Sequence, residues 1–243
     1  MKENSGFAGR PRNIGIEKSN TEYLMFLDSD DYFNEDACEM LYSEINKNPD
    51  IDMVLGGYTN IRSNSKNNKY IRNKKQQKTL YTDGKNDYVL LTTPPSISSK
   101  IFRKKLLIEN DIRFPEGIPA QNLVFVCNAI CCSNLILSLN KYLVYNRRLR
   151  EDPNNLSVTQ NIKIPYILKS MQAYRLLIDI CEKFDINKNC GYGLLSDHYS
   201  FLTSQLNKSG LNKEEYNDIF ESEEYRFLKN NSYYDNEIYI LKY

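Results

Sequence analysis

The sequence predicts an α/β fold, a mixed sheet flanked by helices and followed by a helical C-terminal extension. Short apolar runs alternate with helix-patterned segments through the first half, and several of these runs stop at acids or glycines. Beyond Pro153 the text becomes long, mixed and helical. These features place one unit at residues 1–160 and a helical extension at 161–243.

The elements follow in order. Arg12 to Ser19 reads as a short helix, and Tyr23 to Leu27 as a short strand that stops in a cluster of acids. Ala37, Met40, Leu41 and Ile45 recur at helical spacing, and Pro49 closes that helix. IDMVLGGY is a core strand with glycines at its end, where a side chain would crowd a neighbour. Residues 60–80 are polar and basic, and they read either as a charged surface excursion or as a hairpin arm that touches an acceptor. Pro94 and Pro95 make a turn, SSKIFR a strand, and RKKLLIEN a helix. A Pro/Gly loop then leads to a helix opening near Asn122, and LILSLNKYLVYNRR is a strand or a pair of strands bearing Arg147 and Arg148. Segments 162–184 and 191–207 and the tail from Asn212 are helical.

Composition removes several function classes. Over 243 residues, 32 basic and 31 acidic side chains leave a net charge of +1, so no global field favours nucleic acid or anionic lipid. No aromatic platform accompanies the basic 60–80 segment, and no nucleic-acid partner is expected. His198 is the sole histidine, which argues against His-based zinc chemistry and a Cys-His-Asn protease. Cys127, Cys131 and Cys132 share one apolar segment and read as small hydrophobes rather than a disulfide framework. With no apolar run of spanning length, the chain is expected in a reducing cytoplasmic compartment, or peripherally at the inner face of the membrane.

The sharpest chemical feature is Asp28-Ser29-Asp30-Asp31 directly after an apolar strand. Carboxylates crowded at the C-terminal end of a strand face the ligand crevice of an α/β fold, and a divalent cation with hard oxygen ligands would relieve their repulsion. The alternative is that Asp30 or Asp31 caps a helix starting near Asn34.

RPRNIGIEKSNTEYLMFLDSDDYFNEDACEMLY resembles the central block of the family 2 glycosyltransferases, which have the nucleotide-diphospho-sugar (GT-A, Rossmann-like) fold. Arg12, Asn13 and Gly15 match its Ala-Arg-Asn-x-Gly helix, with Pro11 in the alanine position, and Asp28, Asp30, Asp31 and Tyr32 match its Asp-x-Asp-Asp-aromatic motif. SKIFRKKLLIENDIRFPEG and YLVYNRRLREDPNNLSVT extend the likeness over about residues 5 to 160. The resemblance implies Asp28 and Asp30 as ligands of Mg²⁺ or Mn²⁺, with Arg12, Asp28 and Asp31 binding a nucleoside diphosphate sugar. It also implies transfer, with inversion, to a hydroxyl of a cell-surface polysaccharide or lipid-linked precursor. Chemistry agrees, because a departing diphosphate needs positive charge as it leaves. Against this, Arg12 could simply form a surface pair with Glu17 or Glu22.

Two departures from the family pattern shape the expectation. Family members carry opening strands and a base-binding loop ahead of the Ala-Arg-Asn block, whereas Arg12 lies near the start of this sequence. We therefore expect a partial GT-A sheet whose strand 23–27 offers an open edge for self-association or for an N-terminal partner chain. The family also places Glu-Asp before the helix near residue 122, the Asp serving as general base, and here Gln121 and Asn122 replace both acids. An amide has a carboxyl's shape without its basicity. Glu116, Gln121, Asn122 and Arg147 are the acceptor-side candidates, and a catalytically inactive binding or scaffold subunit is the alternative function.

Overall fold

The computed structural model describes residues 6–62, 68–70, 75–92, 96–152, 154, 164–186, 204, 213–222, 225–226 and 230. Helix α1 spans Gly9–Lys18, followed by strands β1 (Tyr23–Met25) and β2 (Tyr32–Phe33), helix α2 (Ala37–Asn46) and the long strand β3 (Ile51–Ile61). Strands β4 (Asn68–Tyr70) and β5 (Lys78–Tyr81), the short helix α3 (Tyr88–Leu91), strand β6 (Lys100–Arg103) and helix α4 (Lys104–Glu109) come next. Helix α5 (Gln121–Cys132), strand β7 (Leu135–Arg148) and helices α6 (Ile164–Lys183) and α7 (Lys213–Phe220) complete the described elements.

The sheet is mixed, with order β1-β6-β3-β7-β2, β4 added to β3 and β5 to β7. Strands β3 and β7 run parallel from Ile51↔Leu135 to Ile61↔Arg148, while the other pairs are antiparallel. This parallel pair carries the ends of two long strands to one place. Tyr32 and Phe33 pair with Asn146 and Tyr145, so the segment after the acids is tied to the end of β7.

Each face of the sheet buries a different cluster. Met53, Leu55, Phe102 and Ile136 pack with α5, and the same cluster continues through Ile167, Met171, Tyr174 and Leu177 of α6 to Ile219. On the other side Ala37, Leu41 and Ile45, spaced as the sequence pattern placed them, meet Ile51, Val54, Ile101 and Leu137. Phe114 stacks on Phe125 at 3.8 Å, fixing α5 against the loop that precedes it. Burial of such large side chains contributes roughly 1.5–3 kcal/mol apiece.

Several boundaries differ from the sequence reading. Helix α1 begins at Gly9 rather than Arg12, because Gly9 sits where a Cβ would lie 2.3 Å from the Pro115 carbonyl oxygen, and only glycine admits that approach. Strand β1 stops at Met25, leaving Leu27 43% exposed beside the acids. LILSLNKYLVYNRR is one strand, not two, and the 60–80 segment contributes β4 and the start of β5 to the sheet rather than a wholly solvated loop. The expected helix at 191–207 and His198 lie outside the described residues apart from Ser204. Among the described residues, no helix is long and apolar enough to cross a membrane.

Glu44 on α2 shows how charge ties β5 to the core. It is 6% exposed, pairs with Lys47, and accepts from Lys78 Nζ at 2.7 Å. Burial pushes its carboxyl up, but the two lysines outweigh burial and hold it below its ordinary 4.5. A lowered carboxylate contributes stability above its unfolded value and loses it as pH falls through the folded one. Glu44→Gln should therefore lower the melting temperature at neutral pH by on the order of 2–4 °C, the exposed lysines limiting the effect. In thermal melts the gap to wild type should close as pH falls below the ordinary carboxylate range; an unchanged gap would show that the pairs contribute nothing.

Candidate functional site

The turn after β1 gathers the acids at the end of the parallel strand pair. The Asp31 N–H donates to the Asp28 carbonyl at 3.0 Å, folding the four residues tightly. Asn34 then hooks the chain to β7: its N–H donates to the Val144 carbonyl at 2.9 Å and its Oδ1 accepts from Asn146 Nδ2 at 2.6 Å. Helix α2 starts later, at Ala37 with Asp36 before it, so neither Asp30 nor Asp31 caps it.

Each acid has a partner on one of two segments, α1 or the end of β7. Arg12 Nη2 lies 2.5 Å from Asp28 Oδ1, Arg150 Nη2 lies 2.9 Å from Asp30 Oδ2, and the Arg148 N–H donates to Asp31 Oδ1 at 3.0 Å. Arg12 pairs with neither Glu17 nor Glu22, since Glu22 is taken by Arg103 at 2.6 Å. Burial pushes the Asp31 carboxyl up to about 6; the Arg148 N–H opposes this, Asp28 and Asp30 add to it, and Arg147 offsets part of it. The cluster is thus a field of packed negative charge only partly balanced by arginine.

Arg12 also joins the two sides of the site. Its Nη1 donates to Asn122 Oδ1 at 2.5 Å, and its guanidinium carbon stands 5.3 Å from the centroid of the Phe114 ring. At 11% side-chain exposure, it is a fixed cation rather than a mobile surface group. Asn122 is presented by the first turn of α5, after Ala120 in the left-handed conformation at φ 56°. A non-glycine residue there costs on the order of 1 kcal/mol, a strain held by the packing of α5. Gln121, its neighbour, is buried.

Glu116 reaches the same region through Asn13. The Asn13 side chain donates to the Phe114 carbonyl and to Glu116 Oε1, each at 2.9 Å, and accepts from the Phe114 N–H at 2.9 Å. One buried amide therefore fixes the 114–116 loop and holds the Glu116 carboxylate. Asn13 was visible in the sequence as part of a motif, without this role. Arg150 was the residue sequence reasoning missed, although the basic run RRLR after a strand was the signal that could have found it.

Among the described residues, no group of three or more His, Cys, Asp and Glu side chains is placed to hold a metal ion. What Asp30 offers is a single, partly exposed carboxylate whose Oδ2 accepts from Arg150 Nη2. That fits the mode in which a hard cation keeps few protein ligands and takes the rest from phosphate oxygens and water.

Comparison with known proteins bears on the same residues. Residues 1–110 match the profile of glycosyl transferase family 2. The chain is 28% identical over 152 residues to a poly(ribitol-phosphate) beta-N-acetylglucosaminyltransferase, TarS, of Staphylococcus aureus, covering 62% of this chain and 25% of that protein. It is 31% identical over 156 residues to a poly(ribitol-phosphate) beta-glucosyltransferase of Bacillus spizizenii, covering 64% and 23%. The crystal structure of S. aureus TarS 1-349 in complex with UDP-GlcNAc superposes with a TM-score of 0.68 at 21% identity, over 94% of this chain and 61% of that one. The chain thus shares that fold and spans about a quarter of the length of the first two relatives.

Proposed function

We propose that this chain, whose residues 1–110 match the profile of glycosyl transferase family 2, moves a sugar from a nucleoside diphosphate donor to a hydroxyl of a cell-surface glycan. The acceptor would be a polysaccharide or a lipid-linked precursor, the transfer inverting, and the work done in the cytoplasm at the inner face of the membrane. The observation that carries this reading is the turn 28–31, where three carboxylates at a strand end meet Arg12 of α1 and the 148–150 segment that ends β7. The acceptor classes named for the relatives, poly(ribitol-phosphate) chains, support a phosphodiester-linked polyol as the glycan.

Family members generally work with a divalent cation. Here Asp30, and Asp28 beside it, would hold Mg²⁺ or Mn²⁺, which would supply positive charge to the departing diphosphate. Arg12 would shift part of its hydrogen bonding from Asp28 toward the donor phosphates, being already buried and oriented, so little reorganisation is needed. Phe114 and the Asn13-held loop keep the guanidinium in place. On the acceptor side Glu116 is the carboxylate available to take a hydroxyl proton, while Asn122 can only accept or donate a hydrogen bond.

A second reading, a chain that binds donor or glycan without turnover, is favoured by the amide at position 122, held by Arg12 where a base would stand. The discriminating experiment is UDP release from UDP-GlcNAc and UDP-glucose with Mn²⁺ and a ribitol-phosphate oligomer. Acceptor-dependent release that disappears in Asp30→Ala supports transfer. Binding of the donor with no release above the variant's background supports the second reading.

A further inference from the structure

The two arginines paired with the acid turn are held in different ways. Arg12, at 11% side-chain exposure, is clamped between Asp28, Asn122 and the Phe114 ring. Arg150 pairs with Asp30 at 2.9 Å while 37% of its side chain is exposed, and the Asp30 side chain is 32% exposed. The backbone leading to Arg150 is pinned: the Arg148 N–H donates to Asp31 Oδ1 and the Leu149 N–H to the Ile61 carbonyl at the end of β3, each at 3.0 Å. A rotation of the Arg150 side chain can therefore undo its pair with Asp30 without moving the strand.

Asp30 is also the carboxylate that would hold the cation, so the guanidinium and the cation compete for it. While Oδ2 accepts from Arg150, the carboxylate is partly neutralised, and a divalent ion drawn to it meets a positive group already in place. Displacing that group costs little, because an ion pair this exposed is weak. A diphosphate at the turn removes even this cost, since the guanidinium then has a second anion to turn to and Asp30 is released. Arg12 is not exchangeable in the same way, because leaving Asp28 does not unfasten it from Asn122 and Phe114.

We propose that Arg150 is a resident counter-ion of Asp30, a positioning residue that makes cation binding conditional on a diphosphate. Without the diphosphate, Mn²⁺ or Mg²⁺ must displace the guanidinium; with it, the carboxylate is already open. The turn thus favours filling by donor and cation together over filling by the cation alone. Coupling of this kind is reciprocal, so Arg150 also makes UDP bind more tightly with the cation than without it. The inference rests on the cation-assisted donor reading for its ligands, and adds the side chain that makes each depend on the other.

The test is calorimetric titration of Mn²⁺ into the 243-residue chain, with and without saturating UDP, for wild type, Arg150→Gln and Arg150→Lys. Without UDP, Arg150→Gln should bind Mn²⁺ about fivefold more tightly than wild type, the upper end for a half-exposed ion pair. With UDP the two should bind Mn²⁺ alike, so the strengthening that UDP gives shrinks by the same factor. Arg150→Lys keeps the charge and should follow wild type, which a change of packing alone would not produce. Unchanged or weaker Mn²⁺ binding by Arg150→Gln without UDP would overturn the inference, and so would an equal gain with and without UDP, which would make Arg150 a background charge. Superimposable isotherms for wild type and Arg150→Gln, each strengthened by UDP, would remove the counter-ion role and leave the donor reading standing. If none of the three proteins binds Mn²⁺ with or without UDP, both fall.

Discussion

Asn122→Asp should raise sugar transfer by about 10²–10⁴-fold, the range that a positioned general base contributes, while leaving UDP affinity nearly unchanged. The substitution keeps the shape of the side chain and the 2.5 Å bond from Arg12, and adds only the ability to carry a proton. Arg12 would hold the new carboxylate ionised at neutral pH, which favours the basic form at some loss of proton affinity. Steady-state kinetics with UDP-GlcNAc and the oligomer reads the effect as a change in kcat. If wild type already turns over as fast as the variant, another group takes the proton, and Glu116, oriented by Asn13, is the carboxylate on that side. Glu116→Gln would then abolish turnover, which it should not do in the Asn122→Asp background.

Arg12→Ala should have an effect of comparable size in the opposite direction. Removing a preorganised donor to a developing negative charge costs about 10²–10³ in rate, and the loss should be measured in both the wild-type and the Asn122→Asp backgrounds. The guanidinium is mostly buried and spans α1, the acid turn and α5, so its removal also releases Asp28 and Asn122. Arg12→Lys should recover little, because an ammonium cannot reach two partners with one rigid fork. A loss confined to melting temperature, with kcat and UDP affinity intact, would make Arg12 a structural brace only.

Most of the fold was legible because its core positions follow simple periods. Ala37, Leu41 and Ile45 lie buried at the spacing that marked α2, and IDMVLGGY became the central strand β3. The boundaries that shifted depend on partners far away in sequence: Gly9 extends α1 because the Pro115 carbonyl passes over it, and β4 joins the sheet because Gly57 lets it. Within the site, Arg12, Asp28 and Asn122 could be named in advance, since the motif block carries them. Their mutual contact could not, because α1 and α5 lie 110 positions apart at Arg12 and Asn122. Arg150 on Asp30 escaped for the same reason: the register of β7 against β2 and β3 brings the two together, and no local pattern encodes register at that range.

The central claim, that the turn 28–31 is a cation-assisted diphosphate site, is tested most directly by titrating Mn²⁺ into the protein with and without UDP. Arg150 occupies one oxygen of Asp30, so Mn²⁺ alone should bind weakly, and UDP should strengthen its binding by supplying phosphate oxygens. The account predicts a UDP-dependent Mn²⁺ isotherm for wild type that is lost in Asp30→Ala. Superimposable isotherms for the two proteins, with UDP present, would contradict it.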